Sequence, residues 1–358
     1  MKTFRKNPAL FFLFLGISFL TICAQAQQPT CTPPPSGMVA WWRADGSATD
    51  VVGGHDGTLM GGVTFTPIPC ATSATKGGMV GQAFSFDGTS GYVLIPNHAA
   101  LDPPDAISVD AWVYPTRVNG GFGSIITKYN STLPCCNNAS WELGVRESGQ
   151  VSWFVVDART VPGSYISQSV LTDARLTLNA WSHVAATFDT ATQEIAVYIN
   201  GQRVHASCYP GWECGPVTSI MQSTADVMIG AETFQHNPPI GFFWSGRIDE
   251  VEVFNRALSA SEIQALFNAR SAGKCRTATF SSTLTDINNA RQLGWIDNND
   301  LANLLLQTIH AAQTATVTDR HNILSTFKDE VTAQAGQHIT GAAVQTLTQD
   351  ANTLLSQN

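Results

Sequence analysis

The chain has 358 residues, a formal net charge of −8, 44% hydrophobic residues and 13% charged ones. That length supports two or three domains with ordinary cores. No basic block occurs anywhere, which argues against nucleic acid and anionic lipid as partners; the acidic balance is compatible with a cation without indicating one.

Lys2, Arg5 and Lys6 precede the apolar run "ALFFLFLGISFLTI", and Ala24-Gln25-Ala26 fits a small-x-small cleavage site. Residues 1–26 therefore read as a signal peptide, with Gln27 as the first mature residue. "LTIC" is close to a lipobox, but Ile22 stands where that signal wants a small residue. No later run is long and apolar enough to span a bilayer, so a secreted or cell-surface protein is expected. Of eight cysteines, Cys23 falls in the signal, and the remaining seven would meet oxidising conditions. Cys31 and Cys275 flank the β-rich region and are expected to pair. Cys208 and Cys214 bracket "YPGWE" and are expected to close a small ring. Cys135 and Cys136 are neighbours that can each seek another partner, Cys70 among them.

Residues 27–37 form a Pro-rich linker. From 38 to 276 short alternating runs are separated by Gly, Asn, Asp and Pro. "AISVDAWVYP" sets Ile107, Val109, Ala111 and Val113 on one face and Trp112 and Tyr114 on the other. "SWELGVRESGQVSWFVV" reads as a hairpin turning at Ser148-Gly149, and Asn200-Gly201 is a type I′ turn signal. Many short strands at this spacing predict an all-β, two-sheet antiparallel sandwich. After Cys275 the apolar spacing becomes helical, with stripes at Leu301, Leu304, Leu305 and Ile309, then Ile323, Leu324, Phe327 and Val331, then Ala343, Val344, Leu347 and Leu354. Residues 277–358 are predicted to form a small helical bundle, with Asp297, Asp319 and Thr340 as N-caps and Gly294 and Gly336 as stops.

"WSGRIDEVEVFNRALSASEI" (residues 244–263) does not keep a period of two. Val251 and Val253 share a face, and counting back places Asp249 on it while Ile248 points away. Three readings stay open. A β-bulge at Asp249-Glu250 restores register, with Asp249 accepting N–H bonds from a neighbouring turn; Asp249 pairs with Arg247 or Arg43; or Asp249 is a Ca²⁺ ligand together with Asp45, Asp56 and Asp87 from Gly-rich loops. Glu250 and Glu252 read as a solvated outer face, and the Glu-x-Asp-x-Glu pattern of a hydrolase strand is missing from "DEVEV". His183, on one face with Trp181, reads as packed rather than catalytic. Trp112, Trp141, Trp153 and Trp181 read as sandwich filling. Trp212, in the Cys208–Cys214 loop, and Trp244 are the candidate ligand-binding rings, because loops carry function. Asn130 and Asn138 open N-glycosylation acceptor patterns.

"NAWSHVAATFDTATQEIAVYINGQRV" (179–204), "WSGRIDEVEVFNRALSASEI", "MVAWWRADGSATDVVGGHDGTL" (38–59) and "VGQAFSFDGTSGYVLIP" together resemble the LamG-like, concanavalin A-like jelly-roll domains. The C-terminal "LGWIDNNDLANLLLQTIHAA" and "HITGAAVQTLTQDANTLL" resemble FIMAH-like helical modules. The jelly-roll resemblance implies a sandwich, calcium in some members, and roles in sugar binding, adhesion or architecture. The expected function is a secreted non-enzymatic module that recognises carbohydrate or cell-surface glycan; the alternatives are a structural or protein-interaction module without small ligand, and, third, a glycoside hydrolase.

Overall fold

In the computed structural model, residues 31–66, 77–117, 121–130, 138–160, 166–209, 214–233, 240–275, 278–292 and 294–357 are described. The candidate signal peptide, Cys70, Cys135, Cys136 and Trp212 lie outside them. The described strands form two sheets, one eight-stranded and one ten-stranded. The first runs Gln202–Val204, Glu194–Ile199, Ser182–Asp189, Ala106–Arg117, Ser245–Phe254, Phe84–Asp87, Thr64–Phe65, and Met38–Trp42 also pairs with Ser245–Phe254. The second runs Ala206–Cys208, Ser167–Arg175, Gln150–Val156, Asn138–Arg146, Phe122–Asn130, Val227–Ile229, Tyr92–Ile95, Thr58–Met60. At its flank Glu232–Thr233 lies parallel to Phe122–Asn130 and pairs with Ile240–Gly241.

Alternation builds the core between them. Ile107, Val109, Ala111 and Val113 from one sheet meet Trp141, Leu143, Val145, Val151, Trp153 and Val155 from the other, all fully buried. The two central indoles keep their N–H groups satisfied: Trp141 donates to the Leu101 carbonyl at 2.9 Å and Trp153 to that of Thr187 at 3.2 Å. That is the condition for burying them cheaply.

The two ends of the sandwich meet. Thr32 N donates to the Gly273 carbonyl (3.0 Å), Cys275 N donates to the Thr32 carbonyl (2.7 Å), and the Cys31–Cys275 disulfide closes beside them. Helix α1 (Ala260–Ala269) opens on a capping box of Ser259 and Glu262. It lays Ile263 and Leu266 on Ala185, Ala196, Tyr198 and Phe254, covering part of the outer face of the first sheet.

Four more helices follow: α2 (Phe280–Gln292), α3 (Asn299–Thr314), α4 (Val317–Ala333) and α5 (Gly341–Ser356). They bury a separate core that includes Trp295, Leu305, Ile309, Leu324, Phe327, Val331, Leu347 and Leu354. Thr340 is the N-cap residue of α5. The other two caps differ from expectation: Asn298 and Thr316, not Asp297 and Asp319, accept the capping N–H bonds. Asp319 sits three residues inside and returns the contact, its Oδ2 accepting from Thr316 Oγ1 at 2.7 Å. Leu304, expected on the α3 stripe, is half exposed.

Candidate functional site

The register puzzle resolves as a bulge. Along Ser245–Phe254, Asp249 faces Trp112 and Glu252 faces Asp110, so three steps on one strand oppose two on the other. Glu250 takes up the extra residue at φ 52°. Ile248, Val251 and Val253 thereby all reach the core. Asp249 is displaced to the outer face, opposite to where the unbroken period put it, yet it is fully buried there. Its Oδ2 accepts from Val80 N (2.9 Å) in the turn at residues 77–82. Burial, then the neighbouring Glu250 and Asp45 charges, push its pKa well above the usual carboxylate range.

Glu250 and Glu252 are not solvated, as alternation alone suggested. They are 2% and 0% exposed and clasp Lys274, whose Nζ lies 2.7 Å from Glu250 Oε2, against Glu252, and 4.6 Å over the Trp41 ring. Burial opposes the Lys274 charge, but Glu250, Glu252 and Asp110 outweigh it and hold its pKa above the ordinary value. Alongside, His183 Nε2 meets Asp110 Oδ2 at 2.9 Å and its ring packs on Trp112, so it is packed as expected. Trp112 does not fill the sandwich; it stacks on Phe267 of α1 at 5.7 Å. Trp181 lies edge-on to Tyr114. This acidic cluster is sealed beneath α1 and the segment leading to Cys275.

The four carboxylates expected to share Ca²⁺ are occupied separately. Asp45 accepts from Gln82 N (2.9 Å) and pairs with Arg43 (3.3 Å). Asp56 accepts from Asp50 N (2.9 Å). Asp87 opposes its burial with N–H bonds from Thr89, Ser90 and Gly91, which lower its pKa. Asp45 and Asp249 do flank the same turn at residues 77–82, but among the described residues no group of three such side chains is placed to hold a metal ion. Among the described residues these four carboxylates are not gathered into one ligand set.

Of the candidate rings, Trp244 is 1% exposed within the sandwich core, its indole N–H on the Arg247 carbonyl at 3.3 Å, and offers no face to a ligand. The Cys208–Cys214 disulfide is present, and it leads to the surface that sequence reading missed. Next to it Tyr209 is tied to the second sheet by Tyr209 N donating to the Ser169 carbonyl (2.8 Å). Its ring lies 4.7 Å from the Arg146 guanidinium, which on its other side lies 4.4 Å from the Phe122 ring. Phe242 meets Phe122 edge-on at 5.5 Å and is held at φ 53°, a strained conformation for a bulky residue. With Ser148, Gln150 and Leu171 these residues line an open pocket of 410 Å³.

Under the same face lie two buried carboxyls, Glu142 and Glu232, hydrogen-bonded to each other. Burial pushes Glu142 up to about 7 against the opposing Arg146 charge; burial and the Glu142 charge push Glu232 well above the usual carboxylate range. Such a pair holds one proton between its members. Glu142 and Arg146, four apart on an alternating strand, were legible as one face; Glu232, in a two-residue strand, carried no pattern.

The two sheets define the class: a largely antiparallel two-sheet sandwich, consistent with a jelly roll, followed by helices. Residues 87–264 match the Laminin_G_3 family model, described as the concanavalin A-like lectin/glucanases superfamily; the C-terminal helices fall outside the match. No curated protein matches the chain. Among solved structures, the botulinum neurotoxin type G receptor binding domain is similar at TM-score 0.42 and 15% identity, covering 65% of this chain and 51% of its own. Domain 4 of AbnA, a GH43 extracellular arabinanase from Geobacillus stearothermophilus in complex with arabinotriose, is similar at TM-score 0.38 and 18% identity, covering 63% and 96%. The binding domain of botulinum neurotoxin DC in complex with SialylT gives 0.42 and 12%, covering 65% and 52%. The chain spans about half the length of those neurotoxin domains.

Proposed function

We propose that this is a secreted, non-enzymatic module that binds carbohydrate through the outer face of the second sheet. The supporting observation is the pocket at Phe122, Arg146, Tyr209 and Phe242. It joins flat rings to a guanidinium fixed between two of them, with the Gln150 amide and Ser148 hydroxyl at its edge. Apolar rings with a few oriented polar groups suit the alternating CH and OH faces of a sugar. The lectin/glucanase description of the matched family points the same way.

Hydrolysis is disfavoured by the carboxyls. Retaining and inverting mechanisms need two of them roughly 5–9.5 Å apart across the scissile bond. Glu142 and Glu232 touch, and Glu250 and Glu252 are buried on Lys274. The C-terminal helices are proposed as a FIMAH-like appendage.

The test is a glycan array followed by titration of the strongest polysaccharide. Saturable binding that Tyr209→Ala and Arg146→Ala both weaken supports the reading. Absence of binding to any glycan favours a structural module, and reporter-glycoside turnover abolished by Glu142→Gln establishes an enzyme instead.

A further inference from the structure

We propose that the cleft between the opening segment of the sandwich and the C-terminal helices binds a small uncharged amphiphile, an apolar body carrying a carbonyl or hydroxyl oxygen. Its volume is 640 Å³. Small-molecule sites run to roughly 300–1,000 Å³ and favour the junctions between domains. One wall holds Trp41, Arg43, Val51 and Val52. The other holds Thr285 and Asp286 of α2, Trp295 between α2 and α3, and Leu347 of α5. Gln349 of α5 donates to the Ala272 carbonyl at 2.9 Å, tying the second wall to the segment that ends the sandwich.

The apolar body is called for by the valines. Val51 and Val52 are adjacent and 46% and 48% exposed, so a ligand that covers them removes apolar surface from water. The oxygen is called for by two donors. Trp41 is 5% exposed, yet its Nε1 has no hydrogen-bond partner among the described residues, and neither has Arg43 Nε. A buried N–H without an acceptor is a standing cost, which a ligand oxygen relieves. Trp42, the next residue, shows the satisfied case: its Nε1 donates to the His55 carbonyl at 2.8 Å. Lys274 Nζ, 4.6 Å over the Trp41 ring, helps to fix that indole in place.

The charges favour a neutral occupant. Asp45 pairs with Arg43 at 3.3 Å. Burial opposes the Arg43 charge, but Asp45, Asp286, Glu250 and Asp350 outweigh it. An anion entering the cleft therefore meets a guanidinium already neutralised, with Asp45 and Asp286 in the walls. A cation meets Arg43 itself and Lys274 behind Trp41. An uncharged carbonyl or hydroxyl accepts from the two donors without either repulsion.

Fluorescence titration of the full mature chain with prodan, a neutral naphthyl ketone, tests the site. One saturable site is expected. Val52→Asp and Thr285→Arg, on opposite walls and at solvent-accessible positions, should each weaken it by at least about tenfold by placing a charge against the apolar body. Trp41→Phe keeps a ring under Lys274 but removes the donor. It should weaken prodan by about three- to tenfold and leave the ketone-free parent, 2-dimethylaminonaphthalene, unchanged. The anionic anilinonaphthalene sulfonate should not displace prodan. Tyr209→Ala, in the second-sheet pocket, should leave prodan binding unchanged, which separates this site from the proposed sugar face. No saturable prodan binding, binding undiminished by Val52→Asp or Thr285→Arg, equal loss of both naphthalenes in Trp41→Phe, displacement by the sulfonate, or loss in Tyr209→Ala overturns the proposal.

Discussion

Replacing Lys274 by Met tests what holds the bulged strand under its cover. Lys274 is 6% exposed, and its ammonium is the cation held directly between Glu250 and Glu252. Its removal leaves two buried carboxylates without that partner, a loss that costs about 3–5 kcal/mol in comparable buried pairs. For a domain of this size each kcal/mol lowers the melting temperature by about 2–4 °C, so the variant should melt roughly 6–20 °C lower at neutral pH. The pH dependence carries the sign. Burial already raises the Glu252 pKa, so the folded state holds protons that the unfolded chain releases above its ordinary carboxylate range. Stability from such a group is present at low pH and lost as pH rises. The deficit of Lys274→Met should therefore be small near pH 5 and largest near pH 8, read by thermal circular dichroism. Adding Glu250→Gln and Glu252→Gln should restore most of the loss at pH 8, since neutral partners have no charge to desolvate. A melting point within about 3 °C of the parent at pH 8, or an equal deficit at both pH values, refutes the reasoning.

The Glu142–Glu232 pair gives a second pH signature. Glu142, raised from 4.5 to about 7, contributes stability that is complete below its unfolded pKa and is lost as pH rises through about 7. Glu142→Gln should flatten the fall in melting temperature between pH 5 and 8 by an amount of order 3 kcal/mol. The disulfides should differ in weight. By loop entropy, Cys31–Cys275, 244 residues apart, is expected to contribute about 5 kcal/mol and Cys208–Cys214, 6 apart, about 2 kcal/mol, measured by denaturant unfolding of the paired Ser variants. Phe242→Gly relieves a strained φ worth about 1–3 kcal/mol while deleting a ring of the pocket. It should leave the melting point within a few degrees of the parent and weaken glycan binding, and undiminished binding would remove Phe242 from the site. Calcium followed by EDTA should leave the melting curve unchanged, because Asp45, Asp56, Asp87 and Asp249 already accept bonds from loop backbone.

The sandwich was legible because one face of each strand repeats every second residue, and Ile107 to Val113 against Trp141 to Val155 is what that repeat produces. The bulge was legible as a fault in the repeat, and one of its three readings, a kink with Asp249 turned to a neighbouring backbone, is the structure found. Its consequence was not legible. Local alternation says which residues share a face but not what covers it. Lys274, Trp41 and the 77–82 turn arrive from distant parts of the chain to bury Glu250, Glu252 and Asp249. Trp244 was misplaced for the same reason: a Trp beside a Gly- and Pro-rich loop looked exposed, yet its ring enters the core. The pocket at Arg146 needed residues from 122, 146, 209 and 242, a set no local window contains.

The two outer faces of the sandwich are treated differently, and that difference bears on where a ligand meets the molecule. The first sheet turns its outer carboxylates Glu250, Glu252 and Asp110 toward Lys274 and His183 and lays α1 over part of that face. The second sheet keeps its titratable pair under a half-exposed layer in which Arg146 Nε has no hydrogen-bond partner among the described residues. A buried donor left unpaired costs about 1–3 kcal/mol, and a ligand oxygen that reaches it recovers that cost on binding. The same face carries the strained Phe242 and Tyr209, next to the Cys208–Cys214 disulfide. At Arg146 an unpaired donor, local strain and open space coincide, which is the physical ground for the recognition proposed on the second sheet.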